Sequence, residues 1–140
     1  MSSHTNPAEE AFTKAFIRSE KRARFLQFLS DPKHRREQLD RLGRDLPCMP
    51  GFTTPVPGHQ DFPGELEKLL TARGAGPTCH VIAAGLRSDG RQLPLREALN
   101  QVCMSEFGAL LLCLPERLAY YKPESPGAGL LLERHLPTTP

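Results

Sequence analysis

The chain has 140 residues, of which 39% are hydrophobic and 24% charged, and its net charge at neutral pH is +2. A chain of this length makes one domain and can bury a core without metals or disulfides. These values exclude a transmembrane protein, a collagen, a coiled coil and a disulfide scaffold, while 14 prolines and 11 glycines predict long loops.

The N-terminus is polar over residues 1–8 and lacks the basic segment and apolar core of a secretory signal. The longest apolar run, 108–114, is too short to span a membrane. We therefore expect a soluble, cytoplasmic protein whose thiols stay reduced. Cys79, Cys103 and Cys113 lie in apolar runs and are predicted to be buried core residues, unlike Cys48.

The N-terminal third predicts a pair of helices. Asn6 and Pro7 form a helix start, with Glu9 placed to reach back to the cap, and the helix is expected to continue to about Leu29. Apolar residues off its main face (Ile17, Phe25 and Phe28) indicate either contact on two sides or a break near Ser19. Asp31 and Pro32 start a second, mostly solvated helix that Gly43 ends.

The remainder predicts a small sheet with helices. Residues 63–73 and 94–103 have helical apolar spacing, and Ser88-Asp89-Gly90 is a turn. Strands are predicted at about 79–84, 109–114 and 118–122, and a fourth, 130–134, would lie at the edge. The first two are far enough apart for a parallel crossover through a helix.

The predicted fold class is therefore α+β, with a small mixed β-sheet of three to four strands, helices packed on it, and a preceding N-terminal helical pair. We expect one domain overall. Its segments are a basic helical part (1–44), a Pro/Gly-rich loop (45–61), an α/β core (62–136) and a loose tail (137–140).

Basic residues are concentrated in the N-terminal helices. Between residues 14 and 44, ten Lys and Arg residues accompany four acidic residues, a local net charge of +6. Such a surface favours phosphates or another anionic partner. The alternative is a solvated helix face with pairs such as Arg36–Asp40 and Glu37–Arg41. The residues predicted to bind an anion here are Lys33, Arg35, Arg36 and Arg41.

A second candidate anion site surrounds the Asp89 turn, where Arg87, Arg91 and Arg96 lie close to a predicted helix N-terminus. No metal site is predicted, because Cys79 and His80 are adjacent on a strand and point to opposite faces. The sequence also lacks a recognisable nucleophile motif, and no cofactor is predicted.

The predicted hairpin supplies a candidate protein interface. On a strand with one covered face, Tyr120 and Tyr121 would point one inward and one into solvent, beside Leu118. The leading hypothesis is a non-catalytic protein-interaction or regulatory module that uses this hairpin edge and the Pro-rich loop. The alternative is nucleic-acid association through residues 14–44, and the third is an enzyme with an anion site at the Asp89 turn. No membrane partner is expected, and the sequence assigns no oligomeric state.

Overall fold

A six-stranded sheet forms the middle of the molecule in a computed structural model that describes residues 6–83, 85–124 and 128–134. Three helices precede its first strand in the chain, and two more lie between strands. The helices are α1 (Pro7–Phe16), α2 (Ser19–Ser30), α3 (Pro32–Leu42), α4 (Pro63–Ala72) and α5 (Leu95–Cys103). The strands are β1 (Thr53–Pro55), β2 (Thr78–Ala83), β3 (Gln92–Pro94), β4 (Ala109–Leu114), β5 (Leu118–Lys122) and β6 (Leu130–Glu133).

The sheet has the order β1-β6-β5-β4-β2-β3, and every neighbouring pair is antiparallel. The α+β class is therefore confirmed, but the prediction of a mixed sheet with three to four strands is wrong. The expected parallel crossover does not form, because β3 reverses the chain between β2 and α5. As a result β4 runs antiparallel to β2, with Val81 opposite Leu111.

Both sheet edges are short strands that the sequence did not predict. β1 and β3 have three residues each, and each ends at a proline, Pro55 or Pro94. Proline cannot donate to a ladder, which makes such edges poor templates for another strand. The hairpin strand β5 was expected to offer an open edge, but it lies inside the sheet between β4 and β6.

Both faces of the sheet are covered by helices. Residues that alternate along the strands separate into two apolar clusters, as the pleat requires. Ile82, Leu110 and Leu112 pack with α1, α2 and α3, whereas Val81 and Leu111 pack with α4 and α5. The basic N-terminal helices are therefore fixed against the sheet rather than standing apart from it.

The predicted first helix is divided in two at Ile17. Ile17 is fully buried and forms an isolated antiparallel bridge with Cys48, and the amide of Arg18 donates to the Pro47 carbonyl. These contacts take the backbone out of the helix, so the break near Ser19 is the one of the two alternatives that occurs, and the expectation of one helix to about Leu29 is wrong. They also hold the start of the Pro/Gly-rich segment against the end of α1.

Two glycines bring the end of α3 against the start of β4. A Cβ atom on Gly108 would lie 2.3 Å from the Cα atom of Gly43 and 2.6 Å from its nitrogen. The Gly43 carbonyl accepts a hydrogen bond from the amide of Glu124, and the Tyr121 hydroxyl donates to the Leu42 carbonyl. Both positions are occupied by glycine because the two backbones lie too close together to leave room for a side chain.

None of the helices in the described ranges is long and apolar enough to cross a membrane. The tail predicted at 137–140 lies outside the described residues. So do residues 135–136 at the end of the predicted core, and position 84 at the end of the first predicted strand.

Candidate functional site

Asp31 forms the corner between α2 and α3 and is the reason that these helices make a tight hairpin. It caps the start of α3 by accepting a hydrogen bond from the amide of Lys33 at 3.0 Å, and Pro32 occupies the first helical position. Its second carboxylate oxygen lies 2.6 Å from His34 Nδ1. The cap predicted from the sequence is thus confirmed, and it sets the antiparallel course of the two basic helices.

Arg35 fixes this hairpin to the rest of the molecule through two carboxylates. Its guanidinium donates to both Glu9 oxygens at 2.8 and 2.9 Å and to both Asp89 oxygens at 2.9 Å. It also donates to the Leu29 carbonyl. A planar guanidinium suits such paired contacts. Arg35 was predicted to bind an external anion, but its donors are used inside the protein.

Two further contacts complete this group of charges. His80 Nε2 lies 2.7 Å from Glu9 Oε2, and the amide of Ala83 donates to Asp89 Oδ1 at 3.0 Å. We call Glu9, Arg35, His80 and Asp89 the Arg35 cluster. It joins α1, α3, β2 and the turn after β2. Glu9 was expected to reach back to the helix cap, but within the described ranges its carboxylate bonds Arg35 and His80, and the Asn6 side chain makes the cap contacts, to the amides of Ala8 and Glu9.

The Arg35 cluster keeps Glu9 ionised although this residue is buried. Burial by itself would raise the pKa of Glu9, but hydrogen bonds from His80 and Arg35 and the Arg35 charge outweigh it, so the pKa is lowered from its ordinary 4.5. A carboxyl group with a lower pKa in the folded state stabilises the fold above its unfolded pKa. This stabilisation is lost as the pH falls through the folded value.

We expect acidification below about pH 4.5 to destabilise the protein in a way that depends on Glu9. Urea denaturation at a series of pH values measures this, and Glu9→Gln should flatten the acid limb of the curve. Glu20→Gln is the control, because Glu20 is exposed on α2 and forms no ion pair with a described residue, so this variant should keep the wild-type acid limb. A full wild-type slope in Glu9→Gln would contradict the expectation.

A basic groove of about 350 Å³ opens between α2 and α3 at the end of the hairpin away from Asp31. Its lining has four cations and one carboxylate, and none of the four cations forms an ion pair with a described residue. α2 begins without a side-chain cap, and Lys21 lies in its first turn. The residues lining this basic groove are Lys21, Arg24, Phe25, Gln38, Arg41, Arg44, Asp45 and Pro47.

An aromatic ring positions two of the four cations. The guanidinium carbons of Arg24 and Arg41 lie 5.2 and 6.0 Å from the centre of the Phe28 ring, one from each helix. The His34 ring stacks on Phe28 at 5.2 Å. Cation–π contacts orient a guanidinium without neutralising its charge, so Arg24 and Arg41 keep their full charge for an anion.

Gln38 is the most buried polar side chain that lines the basic groove. It is 8% exposed, and its side-chain amide neither donates nor accepts a hydrogen bond with the described part of the chain. No fully enclosed side-chain nitrogen or oxygen among the described residues lacks a partner. The unpartnered amide atoms of Gln38 are therefore not fully enclosed, and Gln38 lines the basic groove, so its two N–H donors are available to a group that enters there.

The solvated-face alternative predicted ion pairs that the structure does not contain. In the described residues, the charged nitrogen and oxygen atoms lie more than 4.0 Å apart in both Arg36–Asp40 and Glu37–Arg41. The guanidinium groups of Arg36 and Arg41 therefore have no carboxylate partner among the described residues. Four of the ten cations between residues 14 and 44 line the basic groove: Lys21 and Arg24 come from α2, Arg41 from α3, and Arg44 from just beyond α3.

The other predicted anion-binding residues lie apart from the basic groove. Lys33 is exposed at the start of α3, and Arg36 lines a second cavity of about 410 Å³ with Asp40 and the exposed ring of Phe107. Arg87 and Arg91 are exposed beside the Asp89 turn, and Arg96 pairs with Glu67 at 2.8 Å. The amide of Leu95, the first residue of α5, donates to the Pro77 carbonyl instead of an anion.

The predicted interface residues are all buried. Tyr120 is 1% exposed, Tyr121 4% and Leu118 1%. The expectation that one tyrosine faces solvent is wrong, because helices cover both faces of the sheet. The hydroxyl of Tyr120 donates to Asp61 at 2.5 Å and that of Tyr121 to the Leu42 carbonyl, so both rings serve internal contacts.

The described residues contain no cluster of three or more side chains suited to hold a metal ion. Cys79 and Cys113 are buried, as predicted, whereas Cys103 and Cys48 are half-buried. Burial raises the pKa of Cys79 to about 12 and that of Cys103 to about 11, and it also raises those of Cys48 and Cys113. A thiol with a raised pKa is a weak nucleophile at neutral pH.

We expect Cys79 and Cys113 to resist alkylation in the folded protein because they are protonated and inaccessible. Iodoacetamide treatment at about pH 8, followed by peptide mass spectrometry, measures modification at each site. Cys48 and Cys103 should react slowly, and all four should react in urea. Fast modification of Cys79 in the folded protein would contradict this assignment.

Sequence reasoning singled out only one residue of the basic groove, Arg41. Helical spacing could have found more of it, because residues three or four apart share a helix face. Lys21 and Arg24 have this spacing on α2, and Gln38 and Arg41 have it on α3. The spacing does not show that these faces of α2 and α3 lie next to each other.

No family model, curated protein or solved structure matches the chain.

Proposed function

We propose that this protein is a small non-catalytic interaction module that binds an anionic partner through the basic groove. The observation that carries the proposal is the set of four cations, Lys21, Arg24, Arg41 and Arg44, around one cavity without a neutralising ion pair among the described residues. With Asp45 as the only carboxylate in the lining, the local charge is four positive against one negative.

The way the hairpin is held supports a binding role for this surface. Asp31 fixes the turn, and the Arg35 cluster fixes α3 to α1 and β2. The cations of the basic groove thus project from two helices whose positions are set before a partner arrives. A surface organised in advance loses less conformational entropy on binding. We therefore place the proposed interaction surface on the α2–α3 hairpin, because the hairpin that contains Tyr120 is buried.

Binding of two labelled polyanions, poly-glutamate and single-stranded RNA of matched length, tests the proposal by fluorescence anisotropy. Binding should weaken steeply as salt is raised, because exposed charges are screened and counterions are released. The double variant Lys21→Glu/Arg41→Glu should lose binding by at least about tenfold.

The matched control is Lys33→Glu/Arg36→Glu, which makes the same charge change on the same hairpin outside the basic groove. It should reduce binding far less. Equal loss in both variants would assign binding to the whole basic segment 14–44, which is the nucleic-acid alternative. Absence of salt-sensitive binding to either polyanion would overturn the proposal.

A further inference from the structure

The most specific feature of the basic groove is Gln38, a neutral donor among four cations. We propose that the basic groove is a site for a phosphate monoester, with the Gln38 amide donating to one phosphate oxygen while the cations bind the others. This inference rests on the proposed function and adds the chemical class of the ligand. It depends on three properties of the site: its charge, its donors and its limited extent.

The charge of the basic groove suits a doubly charged ligand. Its four cations and the one carboxylate of Asp45 leave an excess of positive charge that a ligand with a single carboxylate would not neutralise. A phosphate monoester has a charge close to −2 at neutral pH and three terminal oxygens that accept strong hydrogen bonds. The guanidinium groups of Arg24, Arg41 and Arg44 can each donate a pair of parallel hydrogen bonds to such oxygens.

The donors are placed at different depths. Gln38 is 8% exposed, whereas the four cations, Lys21, Arg24, Arg41 and Arg44, are all exposed. A ligand oxygen that meets the Gln38 amide must therefore enter between the two helices. A terminal phosphate can do this because its oxygens project beyond the ester bond, but the phosphodiester of a continuous strand is substituted on both sides.

The aromatic groups near the basic groove also disfavour a nucleic-acid strand. Single strands are held by bases stacked on free aromatic faces along a basic track. Phe28 already contacts Arg24, Arg41 and His34. The exposed rings of Phe62 and Phe107 do not line the basic groove. The basic groove therefore lacks the free stacking surface that the bases of a nucleic-acid strand would use.

Titration of ¹⁵N-labelled protein with phenyl phosphate and with dimethyl phosphate, at constant ionic strength, tests the inference by NMR. The monoester should bind about tenfold more tightly and should shift the side-chain amide signal of Gln38. Binding should weaken as the pH falls through about 6, where the monoester loses its second charge. Gln38→Ala should weaken monoester binding, whereas Lys33→Ala, outside the basic groove, should not.

Equal affinity for both esters, or an unchanged Gln38 signal at saturation, would overturn the inference. If the polyanions still bind through Lys21 and Arg41 in that case, the proposed function stands and only the ligand class fails. If the monoester does bind more tightly than the diester, a phosphoserine peptide and glycerol phosphate distinguish its source, since tighter binding of the peptide indicates a modified protein segment. RNA that binds more tightly than every monoester and shifts the same signals would also overturn it.

Discussion

Replacing Arg35 with methionine is expected to lower the free energy of unfolding by about 3 to 5 kcal/mol. The change removes the cation from the Arg35 cluster and leaves the carboxylates of Glu9 and Asp89 close together without compensation. Glu9 is almost fully buried, so water cannot replace the lost contacts. Urea denaturation followed by circular dichroism measures the loss.

Arg36→Met is the matched control, because Arg36 is the next residue on α3, is exposed and has no ion pair in the described structure. It should change the stability by about 0.5 kcal/mol or less. A loss no larger in Arg35→Met than in the control would refute the role of the Arg35 cluster. The triple variant Glu9→Gln/Arg35→Met/Asp89→Asn should recover part of the loss, because it removes the unpaired charges as well.

Gly108→Ala is expected to destabilise the protein by about 3 kcal/mol, through overpacking. The new methyl group would overlap the Cα and nitrogen atoms of Gly43, and these are backbone atoms that no side-chain rotation can move away. The end of α3 and the start of β4 would have to separate. Thermal and urea denaturation measure the effect.

The control for this substitution is Gly51→Ala, because a Cβ atom on Gly51 would meet nothing within 4 Å. It should leave the stability within about 0.5 kcal/mol of the wild type. If Gly108→Ala behaves like Gly51→Ala, the close approach of the two glycine backbones is not a constraint on the fold.

Local chemistry allowed most elements to be predicted from the sequence. The caps at Asn6 and Asp31 located two helix starts, and the apolar run Ala109–Leu114 located a central strand. The edge strands β1 and β3 were missed because three residues ending in proline have no alternating pattern to detect. Their existence depends on pairing with β6 and β2, which is a property of the assembled sheet.

Of the candidate site, only the positive charge could be predicted from the sequence. The sequence indicated that residues 14–44 are basic, but it could not separate Arg35, which is used internally, from Arg41, which lines the basic groove. That distinction depends on Glu9 and Asp89, which lie far from Arg35 in the chain. The burial of Tyr120 and Tyr121 was missed for a similar reason, because it depends on helices that cover both faces of the sheet.

The pairing of β1 with β6 has a consequence for the order in which the chain folds. It places Thr53 opposite Leu132, and Arg134 donates to the Ala15 carbonyl, so contacts between distant parts of the chain close this side of the sheet. Such contacts require closure of a long loop, which slows their formation. We therefore expect the β1–β6 edge to form after the β2–β4–β5 centre during refolding. Substitutions at that edge should then accelerate unfolding more than they slow folding.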